Sequence, residues 1–217
     1  SLIAYNHARG KYIALCEGDD FWIDENKLQI QVDYMEANPK CTLCFHNAYI
    51  LNMKNNKKKK WKNHNKKFYK KSNNYNAGEL DLLGFIPTAS FMFRSKHIEL
   101  IPEWFGKSIV GDRPLKLIAT SFGYAYYIDR KMSIYRTGIG SSAMDKINKQ
   151  NEEIEKAVSY WKKIEWIIDK FDCFSNYKYQ KQLNLSKNAI NINILIAQKE
   201  YKKIIKEKKY RKMLGKK

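Results

Sequence analysis

The sequence has too few cysteines, in the wrong arrangement, for a structural zinc site. Of its four cysteines only Cys41 and Cys44 have Cys-x-x-Cys spacing, and no second such pair completes the ligand set. Both fall in a predicted strand, where positions three apart point to opposite faces, so we do not expect them to share a metal ion. Reduced thiols are the expectation for a cytoplasmic protein.

Long apolar runs are also missing. No segment reaches the length of a membrane-spanning helix, and the first residues carry no signal-peptide pattern. We therefore expect a cytoplasmic location. The protein could be located at the inner face of the membrane, because anionic lipids attract the large positive charge of the sequence.

Acidic residues are scarce relative to basic ones. The 217 residues include 41 Lys and Arg but only 22 Asp and Glu, which gives a formal net charge of +19. Such an excess favours anionic partners such as nucleotide phosphates, lipid surfaces or nucleic acid. The abundance of Lys and Asn is equally compatible with a compositional bias of the source organism. The hydrophobic fraction of 44% supports a core, and the length fits one domain with an appendage or two small domains.

Carboxylates cluster immediately after a short apolar run near the start of the sequence. Residues 12–15 predict a buried strand, and Glu17, Asp19 and Asp20 follow it around Gly18. Ligands of open α/β sheets bind at the edge where such strands end. Hard oxygen ligands suit Mg²⁺ or Mn²⁺, which can in turn hold a diphosphate. Asp and Gly after a strand are also typical of an ordinary turn or helix cap.

The segment Asn6-His7-Ala8-Arg9-Gly10-Lys11-Tyr12-Ile13, which leads into Glu17-Gly18-Asp19-Asp20-Phe21-Trp22, resembles the middle of a family 2 glycosyltransferase of the GT-A type. Lys27-Leu28-Gln29 and Asn38-Pro39 continue the likeness. In that family an Asp-x-Asp element binds a metal ion and the diphosphate of a nucleotide sugar. The resemblance therefore implies that Glu17, Asp19 and Asp20 hold Mn²⁺ or Mg²⁺, with Glu17 standing where the family has Asp.

Two later segments extend the resemblance. Gly111-Asp112-Arg113-Pro114-Leu115 is similar to the segment that carries the family's catalytic base, which implies that role for Asp112. Asp112 ahead of Pro114 is also typical of a helix cap. Residues 132–138 resemble a later segment in which many relatives carry a metal-contacting His. Gly138 stands at that position here.

Further side chains are candidates for binding the substrate. Arg9 and Arg136 are candidates for phosphate contact, because a guanidinium group suits a phosphate, although each is also compatible with an ordinary surface ion pair. Trp22 either walls the sugar pocket or packs in the core.

The resemblance implies an α/β fold with a Rossmann-like mixed sheet of the GT-A type in residues 1–145, followed by a basic helical region in residues 146–217. It also implies a metal-dependent, inverting transfer of sugar from a nucleotide-diphosphate donor to a hydroxyl of a saccharide or lipid-linked acceptor. Synthesis of bacterial surface polysaccharide or glycoconjugates is the expected setting. Relatives begin with a strand–helix unit that binds the nucleotide base, and we expect that unit to be missing ahead of Ser1.

Two other functions remain open. Basic and aromatic residues interleave between Lys54 and Lys71, which is typical of a non-catalytic module that binds single-stranded nucleic acid. That function leaves the acidic motifs unexplained, and nucleic acid is the less favoured partner. An inactive partner subunit that keeps the fold is the other alternative.

The periodicity also predicts the secondary structure. A helix is expected over 26–36 with Leu28, Val32 and Met35 inward, then a strand from Cys41 and a solvated loop over 54–76. Later expectations are a short helix or turn at 78–83, a strand over 87–94, a short helix at 96–101, a helix over 114–122 ended by Gly123, and short strands at 124–128 and 131–135. Helices are expected from residue 151, over 177–197 and over 199–214. The last is either a membrane-surface helix or one packed on its neighbour.

Overall fold

The computed structural model describes residues 2–61, 71–139 and 153–213. The chain divides into two compact units, residues 1–142 and residues 143–217. In the first unit the helices and strands are, in order, α1 Leu2–His7, β1 Tyr12–Ala14, β2 Phe21–Trp22, α2 Lys27–Ala37, β3 Cys41–Asn52, β4 Lys57–Lys60, β5 Asn74–Tyr75, α3 Ala77–Leu82, β6 Met92–Arg94, α4 Asp112–Ser121 and β7 Tyr124–Thr137. Short 3-10 helices cover Thr88–Ser90, Ser95–Leu100 and Glu103–Lys107.

A mixed sheet forms the core of the first unit. Its strand order is β1-β6-β3-β7-β2, with β4 pairing with β3 and β5 pairing with β7. The central pair β3 and β7 is parallel, whereas the other pairings are antiparallel. The first six residues of β3 are buried, as expected for a central strand with both faces covered. The predicted α/β class with a mixed sheet and C-terminal helices is confirmed.

The region from Tyr124 to Thr137 forms one strand, β7, where two short strands were predicted. Ile128 pairs with His46 and Lys131 with the next residue, so the two residues between form a bulge. The Asp129 carboxylate there accepts hydrogen bonds from the Asn47 amide at 2.7 Å and from Tyr127 at 2.9 Å. The two residues of this bulge are charged, and two charged residues between apolar runs are typical of a turn. The sequence therefore predicted two strands where there is one.

The predicted solvated loop over 54–76 is partly wrong. Its beginning turns back at residues 53–56, with Asn56 at φ 51°, and continues as β4 alongside the end of β3. All four lysines of β4 are exposed, so their sequence shows no alternation of apolar and polar residues. Residues 62–70 of the predicted loop lie outside the described residues.

The predicted inward face of α2 is only partly correct: Met35 is buried and Val32 packs against the core, but Leu28 does not. Lys27, Gln31 and Met35 are its buried residues, whereas Leu28 is 41% exposed. The spacing i, i+4, i+8 is helical, as predicted, but two of these three inward residues are polar. Their burial is therefore compensated by hydrogen bonds.

Two other expectations need correction. Residues 87–94 were predicted as one strand, yet Thr88–Ser90 is a 3-10 helix and only Met92–Arg94 joins the sheet. Cys41 and Cys44 pack in one core cluster with Met35 and Met92, although positions three apart in a regular strand face opposite ways. A register shift after Cys41 alters the alternation.

Gly123 follows α4 as predicted, but close packing, not a left-handed cap, explains the glycine. Gly84 and Gly138 are the glycines with positive φ among the described residues. A Cβ on Gly123 would lie 2.1 Å from the carbonyl oxygen of Lys40 and 2.8 Å from Cγ2 of Thr42. The glycine therefore allows the end of α4 to approach the chain that enters β3.

The second unit is helical: α5 Ile154–Phe174, α6 Gln180–Ala197, α7 Tyr201–Lys206 and α8 Lys208–Met213. Burial of Ile164, Ile167, Ile168 and Phe171 on α5 and of Leu183 and Ile190 on α6 follows the helical period. The single helix predicted over 199–214 is divided in two by extended backbone at Glu207. No helix in the described part of the chain is both long enough and apolar enough to cross a bilayer.

Replacing Gly123 with alanine should destabilise the first unit by about 3 kcal/mol, because the new methyl group overlaps backbone that cannot move freely. Urea unfolding measures the change. The matched control is Gly18→Ala, where an added Cβ meets nothing within 4 Å. Equal stability of the two variants would contradict the packing role of Gly123.

Stability should fall in acid because of His46. Its side chain is fully buried, Nδ1 donates to the Asn47 carbonyl at 2.7 Å, Nε2 has no partner, and burial lowers its pKa to about 3. The unfolded chain takes up this proton near the usual histidine pKa and the folded chain does not. Stability from the neutral ring is thus present above about pH 6.5 and lost as the pH falls.

The variant His46→Gln removes this titration while keeping a polar side chain of similar size. Between about pH 7 and about pH 5, wild type should lose about 2 kcal/mol more stability than the variant. Urea unfolding across that range measures both slopes. Parallel slopes for the two proteins would show that His46 is not held neutral.

Candidate active site

The three predicted carboxylates lie together in the connection between β1 and β2. Glu17, Asp19 and Asp20 each place one oxygen within 4.8 Å of the others. The Asp20 amide donates to the Glu17 carbonyl at 2.9 Å, which closes a tight turn between them. We call residues 17–20 the acidic loop. Its ends are fixed because the two flanking strands belong to the same sheet.

The ionised forms of the carboxyl groups in this loop are disfavoured by loss of water and by repulsion between like charges. Glu17 is exposed at the surface, yet the protein around its carboxyl displaces enough water to raise the pKa to about 7; the charges of Asp20, Asp112 and Asp19 add to this, while hydrogen bonding from Thr88 opposes it. Burial also raises the pKa of the Asp20 carboxyl to about 6, with the backbone N–H of Arg136 opposing it. The arrangement therefore favours a bound cation or proton over three free negative charges.

An unpartnered oxygen shows that the loop fits a divalent cation. Asp20 is 6% exposed, and its Oδ1 accepts a hydrogen bond from the Arg136 backbone at 2.9 Å. Its Oδ2 is buried and has no hydrogen-bond partner. A buried carboxylate oxygen without a partner is costly unless something positive completes it. All three donors are hard oxygens, as Mg²⁺ and Mn²⁺ prefer.

Arg136 holds the acidic loop from β7. In addition to its backbone bond to Asp20, its Nε donates to the Asp19 carbonyl and its Nη2 donates to the Gly18 carbonyl at 3.3 Å. Predicted as a phosphate contact, Arg136 has its guanidinium directed at backbone oxygens of the loop. The pairing of β7 with β2 places it there, since Ile134 lies opposite Phe21.

Asp112 is the first residue of α4 and approaches the same loop. Gly111, not Asp112, occupies the N-cap position, and the Asp112 side chain makes no capping hydrogen bond, so the capping interpretation is wrong. Its charge is close enough to raise the pKa of Glu17. The structure therefore places the fourth predicted carboxylate within electrostatic range of Glu17.

A buried ion pair fixes the start of α4. Arg113 donates to both carboxylate oxygens of Asp81, at 2.8 Å and 2.7 Å, and the Asp81 side chain is fully buried on α3. Two parallel bonds from a planar guanidinium set orientation as well as distance. Lys116, one turn on, donates to the Gly84 carbonyl at 2.6 Å. Both contacts hold the helix that carries Asp112.

Trp22 is half-buried and hydrogen-bonded. Its Nε1 donates to the Ala89 carbonyl at 2.9 Å, and the Lys27 ammonium lies 4.2 Å from its ring centroid. Lys27 donates in turn to Gln31 at 2.8 Å, and Gln31 donates to the Ser90 carbonyl at 2.9 Å. Burial lowers the pKa of Lys27 to about 8.

The sequence pattern did not predict this buried polar network. Lys27 was noted only as part of the family resemblance, and Gln31 was not identified. The signal that could have found them was two polar residues at i and i+4 on the same helical face as Met35. Together they connect α2 to the Thr88–Ser90 turn, whose first residue opposes the rise in the pKa of Glu17.

Two other positions lie apart from this network. Arg9 is exposed between α1 and β1, and none of the described contacts joins it to the acidic loop. Gly138 has φ +78°, and a Cβ there would lie 3.1 Å from Asn52 and Lys54 side-chain atoms. The backbone therefore favours glycine where many relatives of the resembled family carry a histidine.

Part of this site lies in a segment that is similar to known proteins. Residues 2–101 match the family described as Glycosyl transferase family 2. That segment contains the acidic loop, Trp22 and Thr88, whereas Asp112 and Arg136 lie beyond it. Proteins named as uncharacterized, one from Mycobacterium bovis and others from two strains of Mycobacterium tuberculosis, are 52% identical over 44 residues. This alignment covers 20% of the chain and only 13% of each relative's length.

The matched segment contains the resembled motifs Asn6–Ile13 and Glu17–Trp22. It also includes most of the mixed sheet, from β1 through β6. Residues 2–101 are thus similar to glycosyl transferase family 2, and the mixed α/β fold is consistent with a glycosyltransferase domain of the GT-A type.

Proposed function

We propose that the protein transfers a sugar from a nucleotide-diphosphate donor to a hydroxyl group of a saccharide or lipid-linked acceptor, with inversion at the anomeric carbon. The observation that carries the proposal is the buried, unpartnered oxygen of Asp20, beside Glu17 and Asp19 and approached by Asp112. The expected setting is bacterial surface polysaccharide or glycoconjugate synthesis in the cytoplasm.

Glu17, Asp19 and Asp20 would hold Mn²⁺ or Mg²⁺. Such an ion neutralises the charge that develops on a departing diphosphate. Arg136 acts as a positioning residue, because its bonds to the Gly18 and Asp19 carbonyls hold the loop in the turn that gathers the carboxylates. Arg9 remains a candidate for contact with a donor phosphate, and Trp22 for one wall of the sugar site.

Asp112 would act as the general base. Its side chain is not used as a helix cap, so a carboxylate oxygen is available to accept the proton of an acceptor hydroxyl. The oxygen of that hydroxyl then attacks the face of the sugar opposite the diphosphate. The Asp81–Arg113 pair fixes the first turn of α4 and thereby the position of the base.

The two alternatives make different predictions. A nucleic-acid-binding module would use the exposed lysines of β4 and would bind less tightly as salt rises. It gives no reason for the buried Asp20 Oδ2 atom, which has no hydrogen-bond partner. An inactive partner subunit would keep the acidic loop and its metal affinity but would show no turnover.

Wild-type protein should bind Mn²⁺, and Asp20→Asn should weaken that binding by about tenfold or more, since it removes a charged ligand without changing size. Calorimetric titration with Mn²⁺, alone and with UDP, measures both. The control is Asp33→Asn on α2, where the carboxylate bonds only the exposed Gln29 side chain. Equal affinity of wild type and Asp20→Asn would refute the metal site.

The same titration should depend on pH. The Glu17 carboxyl, with its pKa raised to about 7, must lose its proton to bind the ion. Affinity for Mn²⁺ should therefore be higher near pH 8 than near pH 6 because protons compete for the site in acid. An affinity that does not change over this range would contradict Glu17 as a ligand.

Asp112→Asn should lower turnover by about 10²–10⁴-fold, because the amide cannot accept the proton, while Mn²⁺–UDP binding is retained. Release of nucleoside diphosphate from a panel of nucleotide sugars with hydroxyl acceptors measures turnover, with Asp33→Asn again as control. If Asp112→Asn loses donor binding instead, the base assignment fails. Absence of turnover in wild type, despite metal-dependent nucleotide binding, would favour the inactive partner subunit.

A further inference from the structure

Helix α7 exposes apolar side chains on one face while it buries another. Tyr201 and Ile205 are 54% and 66% exposed and lie at i and i+4 on the same face. Ile204, the adjacent residue, is buried against Ile192 and Tyr210. Packing within the second unit therefore accounts for Ile204 but leaves Tyr201 and Ile205 in solvent.

A third exposed apolar residue lies just before this helix. Ile196, near the end of α6, is 46% exposed. The Lys199 backbone donates to the Ile196 carbonyl at 3.0 Å, so a tight turn keeps Ile196 near the start of α7. We call Ile196, Tyr201 and Ile205 the apolar ridge.

Lysines flank the apolar ridge, and several have no acidic partner. Lys203 pairs with Glu200, and Lys209 pairs with Glu207 at 3.1 Å. Among the described residues, no ion pair involves the remaining exposed lysines of this segment, which are Lys199, Lys202, Lys206 and Lys208. An uncompensated positive charge thus borders side chains that avoid water.

We propose that the apolar ridge and its flanking lysines bind the surface of an anionic lipid bilayer. Exposed isoleucine and tyrosine side chains insert at the boundary between headgroups and acyl chains, and the lysines contact anionic headgroups. The inference goes beyond the proposed reaction. It adds a means of bringing the protein to a surface where lipid-linked acceptors reside, a link that depends on the proposed function.

The composition of the ridge favours lipid over other partners. Nucleic acid gains stacking from aromatic rings and ion pairs from lysines, but it gives no reason for the exposure of Ile196 and Ile205. The buried centre of a protein interface is depleted in lysine. Apolar side chains flanked by lysines match an anionic bilayer, which has an apolar interior and a charged surface.

Co-sedimentation with vesicles tests the proposal directly. Wild-type protein should sediment with vesicles of phosphatidylcholine and phosphatidylglycerol and should not sediment with phosphatidylcholine alone. Tyr201→Ser with Ile205→Ser should reduce binding by about tenfold or more, since both inserted side chains are lost. The matched control replaces two exposed apolar residues of the first unit, Leu100→Ser with Ile109→Ser, and should bind as wild type does.

A second pair of variants tests the charge. Lys202→Gln with Lys206→Gln should weaken binding to anionic vesicles, whereas Lys57→Gln with Lys59→Gln, an equal loss of charge in β4, should weaken it less. Equal losses in both pairs would overturn the proposed surface and indicate nonspecific attraction by net charge. Binding of RNA with no binding of vesicles would also overturn it. Because no sugar transfer is measured, the result is independent of the Asp112 experiment.

Discussion

The parallel pairing of β3 with β7 is the constraint on which the candidate site depends. It fixes β7 in the middle of the sheet, where β7 also pairs with β2 at the end of the acidic loop. Arg136, two residues after that pairing, then reaches the loop with its backbone and its guanidinium. Asp20 and Arg136, which are 116 positions apart in the sequence, are thus brought into contact because two strands share a sheet.

Most of the architecture and the acidic loop could be predicted from the sequence. The apolar run ending in Glu17, Asp19 and Asp20 indicated both the strand and the gathered carboxylates, because residues directly after a strand lie at its end. Glu17 and Asp112 were linked only through resemblance, since nothing local to either indicates the other. The structure makes that connection through α4, whose start is held by Asp81, a residue far from both in sequence.

Two of the errors share one physical origin, which is a polar side chain satisfied by a distant partner. Lys27 can be buried because its ammonium lies over the Trp22 ring, and Gln31 because it donates to the Ser90 carbonyl. No sequence pattern within α2 indicates these partners. Asp129 lies inside a strand because a bulge and Asn47 accommodate it. Periodicity detects where apolar residues recur, whereas these positions depend on tertiary hydrogen bonds.

The lysines of β4 have a consequence that does not involve any ligand. Within the described residues this strand pairs with β3 alone, so its outer edge presents free backbone groups that could template pairing with another chain. Four exposed ammonium groups in succession repel a second copy before its backbone can align. The excess of lysine that suggests a nucleic-acid ligand thus also serves as protection against aggregation through the edge of the sheet.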